Sequence, residues 1–439
     1  MKLNYSKLPL KQQTILKEVS KARELFWQNP QYEPYVKAQK TCAYDRKDIL
    51  EAQKLWERFA PLIRYYFPET ADRCGRIESP LTLTECLKKR LEKEAGIKIK
   101  GELLIKRDSD LPIAGSVKAR GGIFEICKYT EELAERYGIL KPGDSYLKLA
   151  ENKSREVFHD HTIQVGSTGN LGISIGIISA VFGYRTVVHM SADAKEWKKE
   201  LLRGHGVVVV EYEGDYAEAV RKGREQSKRD SRSYFVDDEN SRSLFMGYAT
   251  AALEIQEQLH EAKIQVDREH PLFVYLPCGI GGAPGGITFG LKQIFGDQVH
   301  CFFVEPTQAP CMLAGLLTGL HSQISVQDLG LTGKTQADGL AVGRASGFVG
   351  KTMEHFISGV LTVDDEKLCP AIRMCYETEG IFMEPSAGSA IWGPVRLFAE
   401  EEGREYMKKM GCSMEGSTHM IWATGGRFVP DEIRKQLLE

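Results

Sequence analysis

Three observations predict an α/β fold in which a largely parallel sheet is covered by helices. From about residue 160 onward, short runs rich in β-branched and aromatic residues recur along the chain. Most of these runs are followed by an amphipathic stretch long enough to cross back over a sheet. Three of them end in glycine-rich turns, at the carboxyl ends of strands where open parallel sheets receive their ligands.

Taken in order, about the first 75 residues read as helical. KQQTILKEVSKARELFW (11–27) and RKDILEAQKLWERFAPLIRYY (46–66) carry apolar residues three and four apart. The strand-like runs follow: TIQV (162–165), RTVVHM (185–190), VVVVEY (207–212), YFV (234–236), LFVYLP (272–277), HCFFVE (300–305) and MIWA (420–423). No repeat, low-complexity tract or Pro/Ser linker separates them, so two lobes would have to interleave in sequence.

Composition narrows the function. The 439 residues include 58 basic and 60 acidic side chains, a net charge of -2, which offers no electrostatic footprint for nucleic acid or an anionic membrane. The expected partner is a small molecule. The N-terminus MKLNYSKLPLKQQ lacks an apolar core, and the longest apolar run, 171–183, is too short to span a bilayer. A cytoplasmic location is the expectation. Ten cysteines without CxxC pairs signal neither zinc nor a disulfide framework. The ten histidines show no HExxH pattern, and HDH at His159–His161 has no further ligand at a recognisable spacing, so a surface role is expected for it.

The turns carry the chemistry. CGIGGAPGG (278–286) places five glycines within 279–286, leaving backbone N–H groups unobstructed at a helix start, a site for an anion such as phosphate. No Lys-Ser/Thr pair follows, which excludes a nucleotide P-loop. Gly279, Gly281 and Gly285 leave a dinucleotide site open, although no acidic residue stands at the end of a following strand unless Glu305 does so. GSTGNLG (166–172) supplies Ser167, Thr168 and Asn170, which alone would read as a helix cap. TGG (424–426) offers the Thr424 hydroxyl at a strand end. In GSVKARGG (115–122), Lys118 stands among glycines that let a backbone approach a small ligand. A lysine amine, a phosphate cradle and polar clamps together point to pyridoxal 5'-phosphate, whose aldehyde a neutral lysine can bond.

SVKARG, GSTGN about 50 residues later, a glycine loop about 110 beyond that and a C-terminal Thr-Gly resemble the fold-type II pyridoxal-phosphate enzymes, which include the serine and threonine dehydratases. VGSTGNLG, VHMSADA, DDENSR, FVYLPCG, ADGLAVGRASGFVG and WATGG are similar to segments of the long bacterial D-serine dehydratases (D-serine ammonia-lyases), from about Leu111 to the end. The resemblance implies two open, mostly parallel sheets with helices on both faces, behind a helical N-terminal extension. It implies a large domain of residues 1–124 and 241–439 and a small one of 125–240. The activity implied is β-elimination of D-serine, and of D-threonine, by a monomer.

By the same resemblance Lys118 is the Schiff-base lysine and Asn170 the partner of the cofactor's 3'-oxygen. Cys278, Gly279, Ile280, Gly281, Gly282 and Ala283 surround the phosphate, and Thr424 meets the pyridine nitrogen. Ser167, Thr168, Gly169 and Asn170 grip the substrate carboxylate, with the Thr168 hydroxyl one donor to the leaving group. A monovalent cation, potassium, is expected at Glu305 and the Ala309 carbonyl, where Glu-Pro is equally a turn signal. Two positions depart from the family pattern: Ala283, where a third glycine is common, and Arg427, also a common glycine position. The residues alone leave open an L-serine/threonine dehydratase, a β-replacing enzyme such as a cysteine synthase, a non-catalytic cofactor binder and a nicotinamide-dependent oxidoreductase.

Overall fold

A computed structural model describes residues 8–213 and 216–439; the first seven residues of MKLNYSKLPLKQQ therefore lie outside the described residues. Its strands are β1 (Phe26–Gln28), β2 (Leu81–Leu83), β3 (Glu102–Lys106), β4 (Thr162–Gly166), β5 (Arg185–Ser191), β6 (Val208–Tyr212), β7 (Ser233–Val236), β8 (Leu272–Pro277), β9 (Val299–Pro306), β10 (Gly359–Val363) and β11 (Thr418–Trp422). The chain divides into two compact units. One takes the described residues up to Arg46 with Ser79–Asp110 and Ala251–Glu439; the other takes Lys47–Glu78 and Leu111–Thr250.

The first unit holds a seven-stranded sheet in the order β1-β10-β9-β8-β11-β3-β2. Its five inner strands are parallel, and the two edges run antiparallel. β8, β9 and β11 are buried along their whole length, as a sheet covered on both faces requires, and they are the apolar runs of the sequence. Val274 of β8 stands beside Cys301 on one side and Met420 on the other, and because β8 and β11 are parallel the glycine loop and Thr424 both follow the carboxyl ends of their strands. Phe273, Tyr275, Phe302, Val304 and Ile421 form the centre of the core, joined by Ile372, Ile391 and Leu397 from the covering helices.

The second unit has four parallel strands in the order β6-β5-β4-β7. The helix after β4, Asn170–Phe182, buries ten of its 13 residues, among them Ile173, Ile175 and Ile178. An element apolar on nearly every side has to be covered all round. Helix Lys118–Arg136 packs against it, and the Ser174 hydroxyl donates to the Lys118 carbonyl at 2.9 Å.

Two expectations change, for the segment 11–27 and for His161. The helix read through Trp27 ends at Val19, and Phe26–Gln28 pairs instead with β10, placing the Phe26 ring 5.4 Å from Phe302. The apolar spacing suited both states; burial on the sheet edge decided between them. Lys47–Glu78 belongs with the second unit, where Phe59 stacks on Phe182 and meets Tyr146 edge-on, and Trp56 donates to the Thr250 hydroxyl at 3.2 Å. Helix Lys118–Arg136 lies whole in that unit. His161, expected at the surface with His159, is buried, its Nδ1 3.0 Å from the Val157 carbonyl.

Candidate active site

Lys118 opens its helix, one-fifth exposed, with Nζ 3.7 Å from Asp238 Oδ2. The Tyr248 ring lies beneath it, its centroid 5.7 Å from Nζ. The surrounding glycines have assignable causes. A Cβ on Gly121 would overlap the Tyr248 ring, and one on Gly122 would lie 2.5 Å from the Ser174 hydroxyl. Both glycines therefore let the helix carrying the lysine settle against its neighbours. Gly115, at φ 60°, turns the chain into the segment before it.

In the first unit, the loop Cys278–Ala283 follows β8 and enters helix Gly282–Phe295. Gly281 sits at φ 108°, and a Cβ there would overlap the Met312 methyl; at Gly279 a Cβ would lie 2.9 Å from the Gly339 carbonyl. Only glycine fits either place. The N–H groups of Gly282 and Ala283 belong to the first helical turn and have no intrahelical acceptor. Pro284 comes next and has no N–H to leave unpaired. Ala283 is helical rather than left-handed, so this departure costs no backbone strain. The loop is braced from behind: Ser346 N–H donates to the Ile280 carbonyl at 2.8 Å, and the thiols of Cys278 and Cys311 both reach the Gly279 carbonyl.

The turn after β4 uses one of its polar side chains on itself. The Ser167 hydroxyl accepts the N–H groups of Gly169 at 3.3 Å and Gly172 at 3.0 Å, closing the start of helix Asn170–Phe182. Thr168, Gly169 and Asn170 are half-buried. Thr424 directly follows Ala423, which is pinned by bonds to Lys106 and Ser109. Arg427 points away from the core, exposed, with a guanidinium nitrogen 3.4 Å from the Asp110 carbonyl.

Glu305 is fully buried at the end of β9. Its two oxygens accept the N–H groups of Met312 and Leu313, each at 2.8 Å, at the start of helix Cys311–Thr318. The Ala309 carbonyl accepts the Cys311 N–H at 3.0 Å. Burial pushes the Glu305 carboxyl up to about 8, against the pull of those N–H donors. The two expected cation ligands thus already anchor a helix. No cluster of three or more His, Cys, Asp or Glu suited to a metal occurs among the described residues, and none of the ten cysteines is in a disulfide. Among the described residues no helix is long and apolar enough to cross a membrane.

Asp238 and Tyr248 were not singled out from the sequence. The signal was DDENSR, which carries Asp238, but nothing in its spacing ties it to a lysine 120 positions earlier. Each unit by itself carries groups that suit an aldehyde-bearing phosphate ester: in the second a lysine amine beside a half-buried acid, and in the first a backbone cradle that a Cβ would fill.

Comparison with known proteins agrees. A chain of Geobacillus stearothermophilus named "Probable D-serine dehydratase" is 52% identical over 426 residues, 97% of this chain and 93% of its own. A Bacillus cereus chain of the same name is also 52% identical, covering 96% and 95%. Among solved structures, diaminopropionate ammonia lyase from Escherichia coli, captured with an aminoacrylate-PLP azomethine intermediate, superposes with a TM-score of 0.71 at 17% identity, covering 95% of this chain and 97% of its own. Threonine deaminase isoform 2 from Solanum lycopersicum gives 0.62 at 20% identity, over 95% and 96%. These two show the shared fold. Residues 80–406 match the model of one family throughout, and with that match the chain belongs to the pyridoxal-phosphate dependent enzymes.

Proposed function

We propose that the protein is a D-serine ammonia-lyase, releasing pyruvate and ammonia from D-serine and the corresponding keto acid from D-threonine, as a monomer in the cytoplasm. The observation that carries the reading is Lys118: an amine at a helix start, beside the Asp238 carboxylate, in a chain 52% identical over nearly its whole length to relatives bearing the D-serine dehydratase name. Pyridoxal phosphate, when bound, supplies the sink for the electrons of the broken Cα–H bond.

The chain's own residues do the rest. Lys118 Nζ would hold the cofactor through its aldehyde, and as a free amine Lys118 would take the Cα proton as a base. The N–H groups along Ser167–Asn170 hold the substrate carboxylate, and the Thr168 hydroxyl protonates the departing β-hydroxyl. Gly279–Ala283 would hold the phosphate, Asn170 the 3'-oxygen and Thr424 the ring nitrogen. A potassium ion at Glu305 and Ala309 would share oxygens that already accept N–H groups. The cation reading expects activity to fall when sodium or tetramethylammonium replaces potassium.

The deciding experiment is the visible absorption spectrum of the purified protein before and after D-serine, then L-serine, with pyruvate assayed alongside. A yellow band lost in Lys118→Ala, and pyruvate from D-serine, are expected. Pyruvate from L-serine alone would overturn the handedness, and no band after adding the cofactor would overturn the whole reading.

A further inference from the structure

The turn that leads into the Lys118 helix is strained, and a carboxylate from a segment more than 40 positions earlier holds it. Ile113 sits at φ 72°. For a β-branched residue this left-handed region is an outlier, because the Cβ crowds the carbonyl that follows. The Ala114 N–H donates to the Pro112 carbonyl at 2.8 Å, closing a three-residue turn over Ile113. A γ-turn with φ near ~75° at its centre is the rare and strained form. The segment has little room to relax: Leu111, Ile113, Ala114, Ser116 and Val117 are all buried, and the Gly115 N–H returns to the Leu111 carbonyl at 3.1 Å.

A strained residue persists where its surroundings over-determine it. The Ile113 N–H donates to Glu69 Oε1 at 2.7 Å, a bond strengthened by the carboxylate charge. Glu69 stands on a short 3-10 turn, Pro68–Arg73, whose ends are tied down. The Thr70 hydroxyl donates to the Phe67 carbonyl at 2.8 Å and the Gly75 N–H to the Thr70 carbonyl at 2.9 Å, while a Cβ on Gly75 would overlap the Ala60 carbonyl. The helix before it, Arg46–Tyr66, is seated by Phe59, Leu62 and Ile63, all fully buried. The carboxylate is thus presented from a fixed platform, and it and the strained turn belong to the same unit.

We propose that Glu69 is the latch of the lysine loop: it holds Ile113 in its γ-turn, and the γ-turn fixes where the chain enters the helix that opens with Lys118. Glu69 is then a positioning residue, acting on the amine through the backbone of 113–117. Glycine would adopt φ 72° unaided, so isoleucine at this place makes the turn depend on the latch.

This inference rests on the reading of Lys118 as the lysine that holds the cofactor, so the first test needs no cofactor chemistry. Hydrogen exchange of the full-length protein is read by mass spectrometry on peptides spanning 111–117. Glu69→Ala is expected to speed exchange there tenfold or more, while Glu69→Gln, which keeps an acceptor oxygen, stays within threefold of the wild type. Exchange no faster in Glu69→Ala than in Glu69→Gln overturns the latch. The second test is affinity for added pyridoxal phosphate, from the growth of its absorption band. Glu69→Ala is expected to weaken it tenfold or more, but less than threefold in an Ile113→Gly background, where the turn holds without help; equal losses in the two backgrounds overturn the proposal. If the wild type shows no band, the cofactor reading fails while the exchange rates still decide the latch. Should the glycine variants not fold, Glu69→Gln is expected to bind the cofactor at least threefold tighter than Glu69→Ala, and equal affinities overturn the proposal.

Discussion

At the scale of the residue, the site rests on places where a methyl group does not fit. Gly121 lies against the Tyr248 ring with no room for a Cβ. Gly121→Ala is expected to cost about 1–3 kcal/mol through displaced packing, read as a lowered urea midpoint, and to loosen the ring beneath Lys118. The glycines around the lysine were visible in the sequence as a permissive loop, but their partners were not, since Tyr248 and Ser174 lie far along the chain. Glu305 makes a second residue-scale case. Its ordinary value of 4.5 holds in the unfolded chain, while burial raises it to about 8 in the fold. Between those values the unfolded chain has released a proton that the fold retains, so this group makes stability fall as pH rises from about 4.5 to about 8. Urea unfolding at pH 6 and pH 8 is expected to show a flatter dependence in Glu305→Gln than in the wild type.

At the scale of the element, the unbroken apolar runs of β8, β9 and β11 and the four strands β4 to β7 were legible, while β1, β2, β3 and β10 were not. LFVYLP coincides with β8 because a strand covered on both faces is an unbroken apolar run. β1 and β2 span three residues each and carry no such run. One face of the first sheet shows what neighbouring strands add: Phe273 of β8 stacks between His300 of β9 at 4.8 Å and His419 of β11 at 5.2 Å. Burial pushes both imidazoles down to about 3. The unfolded chain takes up protons near their ordinary value of 6.5 and the fold does not, so their contribution to stability is lost as pH falls from about 6.5 to about 3. His419→Gln, neutral throughout, is expected to shallow that acid-side slope by as much as one proton, measured by urea midpoints between pH 4 and pH 7.

At the scale of the whole molecule, the helical N-terminal segment is part of the fold rather than an appendage. Phe59, fully buried, packs on Tyr146 at 4.9 Å and Phe182 at 6.2 Å within the second unit. Phe59→Ala is expected to cost about 3–5 kcal/mol, seen as a lower thermal midpoint for the unit that carries Lys118. The sequence by itself determined the α/β class, the strands β4 to β9 and β11, the lysine and the glycine loop, because each is written in contiguous residues: an apolar run, a string of glycines at a strand end, an amine among small neighbours. Only the tertiary structure decided that Phe26 and Trp27 are strand and that Asp238 and Tyr248 stand at Lys118. The physical reason is that a side chain's burial, and the charge it meets once buried, are set by segments a hundred or more residues away, and spacing along the chain does not encode which of those segments arrive.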